Sequence, residues 1–84
     1  MGFKARWYKI GSVAVMAKVH PHTLRFWESE FPCLAPQKND KGHRIYSQRD
    51  VEIALRIRQL LHEEGFTLKG AKLQLGKNGL YGNL

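Results

Sequence analysis

Apolar residues return at helical spacing in four stretches of the chain, and prolines, glycines and polar turns separate them. The first stretch, "IGSVAVMAKV" (10–19), reads as a short helix. Gly11 or Ser12 is placed to cap it, and Val13, Met16 and Ala17 share a face. The second, "HPHTLRFWESEF" (20–31), puts Pro21 at the first helical position, where its missing N–H costs nothing, and leaves His20 as a poor N-cap. The third and clearest, 47–65, opens on a Ser47/Asp50 capping box and stops at Gly65. At about 100° per residue, Ile53, Ala54, Ile57, Leu60 and Leu61 form an apolar arc extending to Val51 and Leu55. Glu52, Arg56, Gln59 and Glu63 lie opposite. The fourth, 67–75, is capped by Thr67. Between the second and third helices, "LAPQK" and "HRIYS" flank the turn residues "NDKG" and predict a β-hairpin with a basic tip. Residues 1–9 are basic and aromatic and fit an arm or a first short strand. The expected division is a domain over 1–75 and a flexible glycine-containing tail over 76–84.

The second helix carries aromatic residues on both sides. On a helical wheel Leu24, Trp27, Glu28 and Phe31 cluster on one side, and His22, Arg25, Phe26 and Ser29 on the other. Leu24, Trp27 and Phe31 are therefore the expected core stripe, and Phe26 stands outward among cations. An outward aromatic there can pack on a thymine methyl or a sugar while arginine takes a phosphate or a guanine edge. The plainer alternative packs Phe26 beneath the hairpin or the N-terminal arm.

Composition sharpens this picture. The chain has 84 residues, which fits one domain, and 43% of them are hydrophobic, too many for a disordered chain. Lys and Arg number 14 against 7 Asp and Glu, a net charge of +7 that points to a polyanionic partner. No apolar run is long enough for a membrane helix. The one cysteine, Cys33, permits no intrachain disulfide, suits a reducing cytosol, and reads as a small buried apolar residue. His20, His22, Cys33 and His43 match no zinc-ligand spacing. No nucleophile elbow or phosphate loop marks an enzyme, and no cofactor is expected. Arg58 falls inside the apolar arc of the third helix. There it either snorkels, pairs with Glu28 or Glu30, or reaches a phosphate.

Helix, tight turn, second helix, basic hairpin, helix is the order of a winged helix-turn-helix. Four stretches carry a closer likeness: "YKIGSVAVMAKV", "HPHTLRFWE", "GHRIYSQRDV" and "IRQLLHEEGFTLKGAK". Together they resemble the DNA-binding domain of the MerR family of bacterial transcription regulators over about residues 8–73. The resemblance implies a mainly α fold of about four helices with a two-stranded wing. It also implies sequence-specific binding to double-stranded DNA, with helix 21–30 in the major groove and wing 35–46 on the flanking backbone or minor groove. Carried over residue by residue, it places His22, Thr23, Arg25 and Phe26 on the recognition helix. Lys38, Lys41, His43, Arg44 and Tyr46 fall on the wing. Ser12 and Lys18 fall at the first helix, where the N-terminus favours a phosphate. Lys18 stands where the family commonly has glycine in the turn, which implies mild strain if φ is positive there. The family further implies dimers on inverted repeats and a bacterial cytoplasmic, nucleoid-associated location. Its members usually continue into a dimerisation helix and an effector domain, which leaves dimerisation of this 84-residue chain open. Two rivals share the pattern. One is an architectural or excisionase-like DNA-binding protein, and the other is a protein-interaction module docking through Phe26, Val15 and the wing tip.

Overall fold

A computed structural model describes residues 6–76. The chain opens with β1 (Tyr8–Lys9), runs into α1 (Ile10–Ala17) and turns into α2 (Pro21–Glu30). The wing strands β2 (Gln37–Lys38) and β3 (Arg44–Tyr46) follow. Then come α3 (Gln48–Arg58), a π-helical turn over Gln59–Glu63, and α4 (Leu68–Leu75). The expected tail, beyond Gly76, lies outside the described residues.

The wing differs from the expected two-stranded hairpin. β1 joins it, giving an antiparallel sheet of order β1-β3-β2, with Tyr8 opposite Tyr46 and Gln37 opposite Ile45. Of the two readings left open for residues 1–9, the strand is the one formed at Tyr8–Lys9. Two- and three-residue strands are too short to hold a free hairpin, so the third strand matters. The turn between β2 and β3 is built on Asn39, whose Oδ1 accepts from the amides of Lys41 and His43, both at 3.0 Å. Gly42, at φ 80, supplies the left-handed residue that this turn needs.

The turn between α1 and α2 closes on a strained residue. Lys18 sits at φ 57, ψ 43, the left-handed region anticipated for it, and is the only non-glycine residue with positive φ among the described residues. The Val19 amide returns to the Ala14 carbonyl at 3.0 Å, a Schellman closure that satisfies the end of α1. A lysine there costs about 1 kcal/mol that a glycine would not.

The core is the layer where α1, α2, α3 and α4 meet. Leu24, Trp27 and Phe31 are all buried, as the wheel predicts, against Val13, Ile53, Ile57 and Leu60. Three details depart from expectation. No side chain caps α1; its N-cap is Lys9, and Gly11 and Ser12 already lie inside the first turn. Met16 faces solvent, and Ala14 takes its place in the core beside Val13 and Ala17. The third helix does not stay α-helical to Gly65. From Gln59 it widens, with the Glu64 amide reaching back five residues to the Gln59 carbonyl at 2.9 Å. The wide turn inserts one residue, so the 3.6-residue period loses phase, and Leu61 is only half-buried. Leu55, at the edge of the arc, is exposed.

Asp50 is the buried polar residue that ties the wing to α3. Its Oδ2 accepts from the Ser47 amide and hydroxyl, both at 2.9 Å, completing the predicted capping box. Its Oδ1 accepts from the Ala35 amide at 3.2 Å, fixing the chain as it enters the wing. We predict that Asp50→Ala lowers stability by about 2 kcal/mol, from the lost cap and the lost charge-assisted bond. Denaturant unfolding checks this, and Asp50→Asn should recover part of the loss.

Candidate nucleic-acid interface

The outward side of α2 is one continuous stripe. His22, Arg25, Phe26 and Ser29, at positions i, i+3, i+4 and i+7, are all exposed, while Leu24 and Trp27 hold the helix down from behind. Phe26 is 51% exposed, so the wing does not bury it; residues 1–5 of the arm lie outside the described residues. Thr23 is half-buried at the start of α2, its amide bonded to the His20 carbonyl at 2.9 Å. No side chain caps this end of α2, and the rings of His20 and His22 stack beside it, 5.2 Å apart.

A cleft runs between the start of α1, α2 and the wing tip. Lys9, Ser12, Arg25, His43 and Arg44 give it polar walls, and Val15 and Met16 form an apolar patch in its lining. A shallower hollow at the α1–α2 turn holds Lys18 and His20 and shares Gly11 and Val15 with the cleft. Ser12, Arg25, His43 and Arg44 are thus brought together as the sequence anticipates. Lys38 and Lys41 are exposed on the wing, with Lys38 paired in register to Arg44. Lys9 and Met16 were not among the candidate contacts, and Val15 was one only for a protein partner. Lys9 had a signal, a cation directly before a helix start. Met16 had none, because its exposure follows from the phase of α1.

Tyr46 is corrected. It is fully buried, not on the wing's outer face. Strand alternation turns it inward, and its hydroxyl donates to Glu28 Oε2 on α2. The other carboxylate oxygen of Glu28, Oε1, takes Arg44 Nε at 2.9 Å. The helix α2 and the wing are therefore joined through one carboxylate. This also displaces the anticipated Arg58 pairing. Arg58 Nη1 instead reaches Glu63 at 2.6 Å, Glu30 pairs with Lys72 at 2.8 Å, and the Arg58 Nε is buried without a hydrogen-bond partner. Cys33 is half-buried rather than buried, and burial pushes its thiol pKa up.

Charge is segregated by face. The four ion pairs among the described residues engage Arg44, Arg56, Arg58 and Lys72. Lys9, Lys18, Arg25, Lys38 and Lys41, which border the cleft, the turn and the wing, enter none of them. Of these four pairs, three lie on the α3–α4 side. Arg44 is bound to Glu28 through Nε and also lines the cleft. Asp40 at the wing tip is the acidic exception. No group of three or more His, Cys, Asp or Glu among the described residues can hold a metal, and no described helix is long and apolar enough to cross a membrane.

Three layered helices, an exposed stripe on the second helix of a tight helix-turn-helix and a β-wing beside it define a winged helix-turn-helix. Residues 8–76 match the model of the MerR HTH family of regulatory proteins, and the chain belongs to that family. It is 40% identical over 53 residues to the HTH-type transcriptional regulator MlrA of Escherichia coli (strain K12), a match covering 63% of this chain and 21% of that protein. It is 32% identical over 68 residues to the HTH-type transcriptional repressor CarH of Myxococcus xanthus, covering 81% of this chain and 23% of that one. The mercuric resistance operon regulatory protein of Bacillus cereus matches at 33% over 69 residues, 82% of this chain and 52% of that protein. The chain thus spans from about a fifth to about half the length of these relatives. The family is one of regulatory proteins, and these three relatives are named as a transcriptional regulator, a transcriptional repressor and an operon regulatory protein.

The buried Tyr46 phenol has its pKa pushed above the ordinary tyrosine value, first by burial and then by its bond to Glu28. The folded domain therefore holds this proton more tightly than the unfolded chain does. Its contribution to stability is fully present below the ordinary pKa of ~10 and declines as pH rises above that value. We predict that stability falls between about pH 10 and 11, and that Tyr46→Phe flattens this limb at a cost of about 1 kcal/mol at neutral pH. Denaturant midpoints measured across that range check both effects.

Proposed function

We propose that this domain binds double-stranded DNA in transcription regulation, with α2 in the major groove and the wing on the flanking backbone or minor groove. The supporting observation is the distribution of charge: Lys9, Lys18, Arg25, Lys38 and Lys41, beside α2 and on the wing, enter none of the four ion pairs among the described residues, three of which lie on the α3–α4 side. A helix of 10 residues is about 15 Å long, enough to lie across a major groove about 12 Å wide. Arg25 is the candidate base or phosphate contact on α2. Arg44, His43, Lys41 and Lys38 are the candidate wing contacts, and Ser12 and Lys18 are placed for the adjoining backbone. The stacked His20 and His22 stand at the uncapped start of α2, where backbone amides favour an anion. Two copies on an inverted repeat, working at the nucleoid in the cytoplasm, complete the reading.

Binding dominated by phosphate neutralisation weakens steeply with salt. We predict that Arg25→Ala weakens binding to a selected duplex about tenfold and shallows the log–log salt slope by about one. Arg56→Ala, on the opposite side, should leave both unchanged. Fluorescence anisotropy titrations over a range of salt concentrations measure both quantities. Equal affinities and slopes for wild type and Arg25→Ala would sink the proposed orientation.

A further inference from the structure

Phe26 is an expensive residue to leave in water, and its stripe limits what it can do. Its neighbours on the exposed face are His22, Arg25 and Ser29. Arg25 carries no ion pair among the described residues and can donate to a base edge or a phosphate. The Ser29 hydroxyl donates to the carbonyl of Phe26 itself at 2.6 Å, so its donor is already engaged. The phenyl ring has no polar atom and lies outside the buried core cluster. Placed over an amine, N7 or carbonyl edge, it would strip water from a polar group and give nothing back. The major groove offers one apolar group, the C5-methyl of thymine.

Taking α2 as the major-groove helix, we propose that Phe26 is a specificity-determining residue that reads the C5-methyl of a pyrimidine. The ring packs on that methyl beside the base or phosphate held by Arg25. The chemistry recognised is the methyl and not the rest of the base. A 5-methylcytosine in the same place presents the same group, so binding there is sensitive to cytosine methylation. Packing on a deoxyribose is the competing arrangement, and it carries no dependence on the pyrimidine methyl.

The test uses the full 84-residue chain. A duplex selected from a random library is resynthesised with each thymine replaced singly by uracil, which removes only the methyl. Affinities are then measured for the wild type and for Phe26→Ala. One thymine per half-site should show weaker binding as uracil, by about fourfold, the worth of one buried methyl. In Phe26→Ala that ratio should fall to one. At the same position, 5-methylcytosine should bind the wild type better than cytosine and should show no preference with Phe26→Ala. The uracil scan on wild-type protein does not depend on how the variant folds. If no thymine responds, or if the response survives in Phe26→Ala, the inference is overturned while DNA binding stands. If no duplex is retained even at low salt, the DNA-binding reading itself fails and this one falls with it.

Discussion

The carboxylate of Glu28 is the point on which the presentation of α2 and the wing depends. It lies on α2 and receives two donors from β3, Arg44 Nε and the Tyr46 hydroxyl. The wing has almost no core of its own. β2 and β3 contribute two and three residues, and such strands do not hold an angle unaided. Backbone pairing to β1, the Asp50 bond to Ala35 and the Glu28 tether hold it from three sides. Only the Glu28 tether connects directly to α2. A small rotation of the wing against α2 would misplace Arg44 and His43 relative to Arg25 while leaving the helical core intact. The relation between the two candidate DNA-contacting elements thus rests on a few polar contacts together with the burial of Tyr46 in the same core cluster as Leu24 and Trp27.

Much of this was legible in the residue order, and the failures have physical causes. The buried side of α2, the Ser47/Asp50 box, the Thr67 cap and the Gly65 stop follow from local periodicity and capping chemistry, which act over a few residues, whereas the left-handed Lys18 was suggested only by the family resemblance. The errors are long-range or belong to phase. β1 is two residues long and becomes a strand only because Tyr46 and Ile45 are there to pair with it. Met16 and Leu55 sit at the margins of their apolar arcs, where a small rotation decides between core and solvent. Leu61 lies in the π turn, where no single period holds. The family resemblance puts Tyr46 on the wing beside Arg44, two residues before it in the chain. Both residues do share a side of the strand, but that side faces Glu28, and only the long Arg44 side chain also reaches the cleft.

The candidate interface mixes constraint with strain. Lys18 holds a conformation that glycine adopts freely, and α2 begins without a side-chain cap. Each forgoes about 1 kcal/mol of available stability. Both lie at the turn and helix start nearest the proposed backbone contacts. A side-chain cap at His20 would engage backbone amides that an incoming phosphate can otherwise take. A glycine at Lys18 would remove a cation from the same edge. Positions that break local rules while adding charge or open donors are where binding function is expected to override folding preference.

The size of α2 also bears on how such a domain finds a site. A helix about 15 Å long covers about four or five base pairs at 3.4 Å per step. Its exposed stripe contains four side chains, of which the Ser29 donor is already engaged by the backbone. Three readers can discriminate only a short half-site, which recurs by chance very many times in a genome. Sequence-independent attraction from the wing and the α1–α2 turn raises occupancy everywhere and does nothing to separate one site from another. Selectivity must therefore come from joining two half-sites or from reading more than hydrogen bonds at each. The first requires a second copy at fixed spacing. The second is what the proposed methyl reading by Phe26 supplies, since it separates bases by a group that arginine and histidine cannot sense.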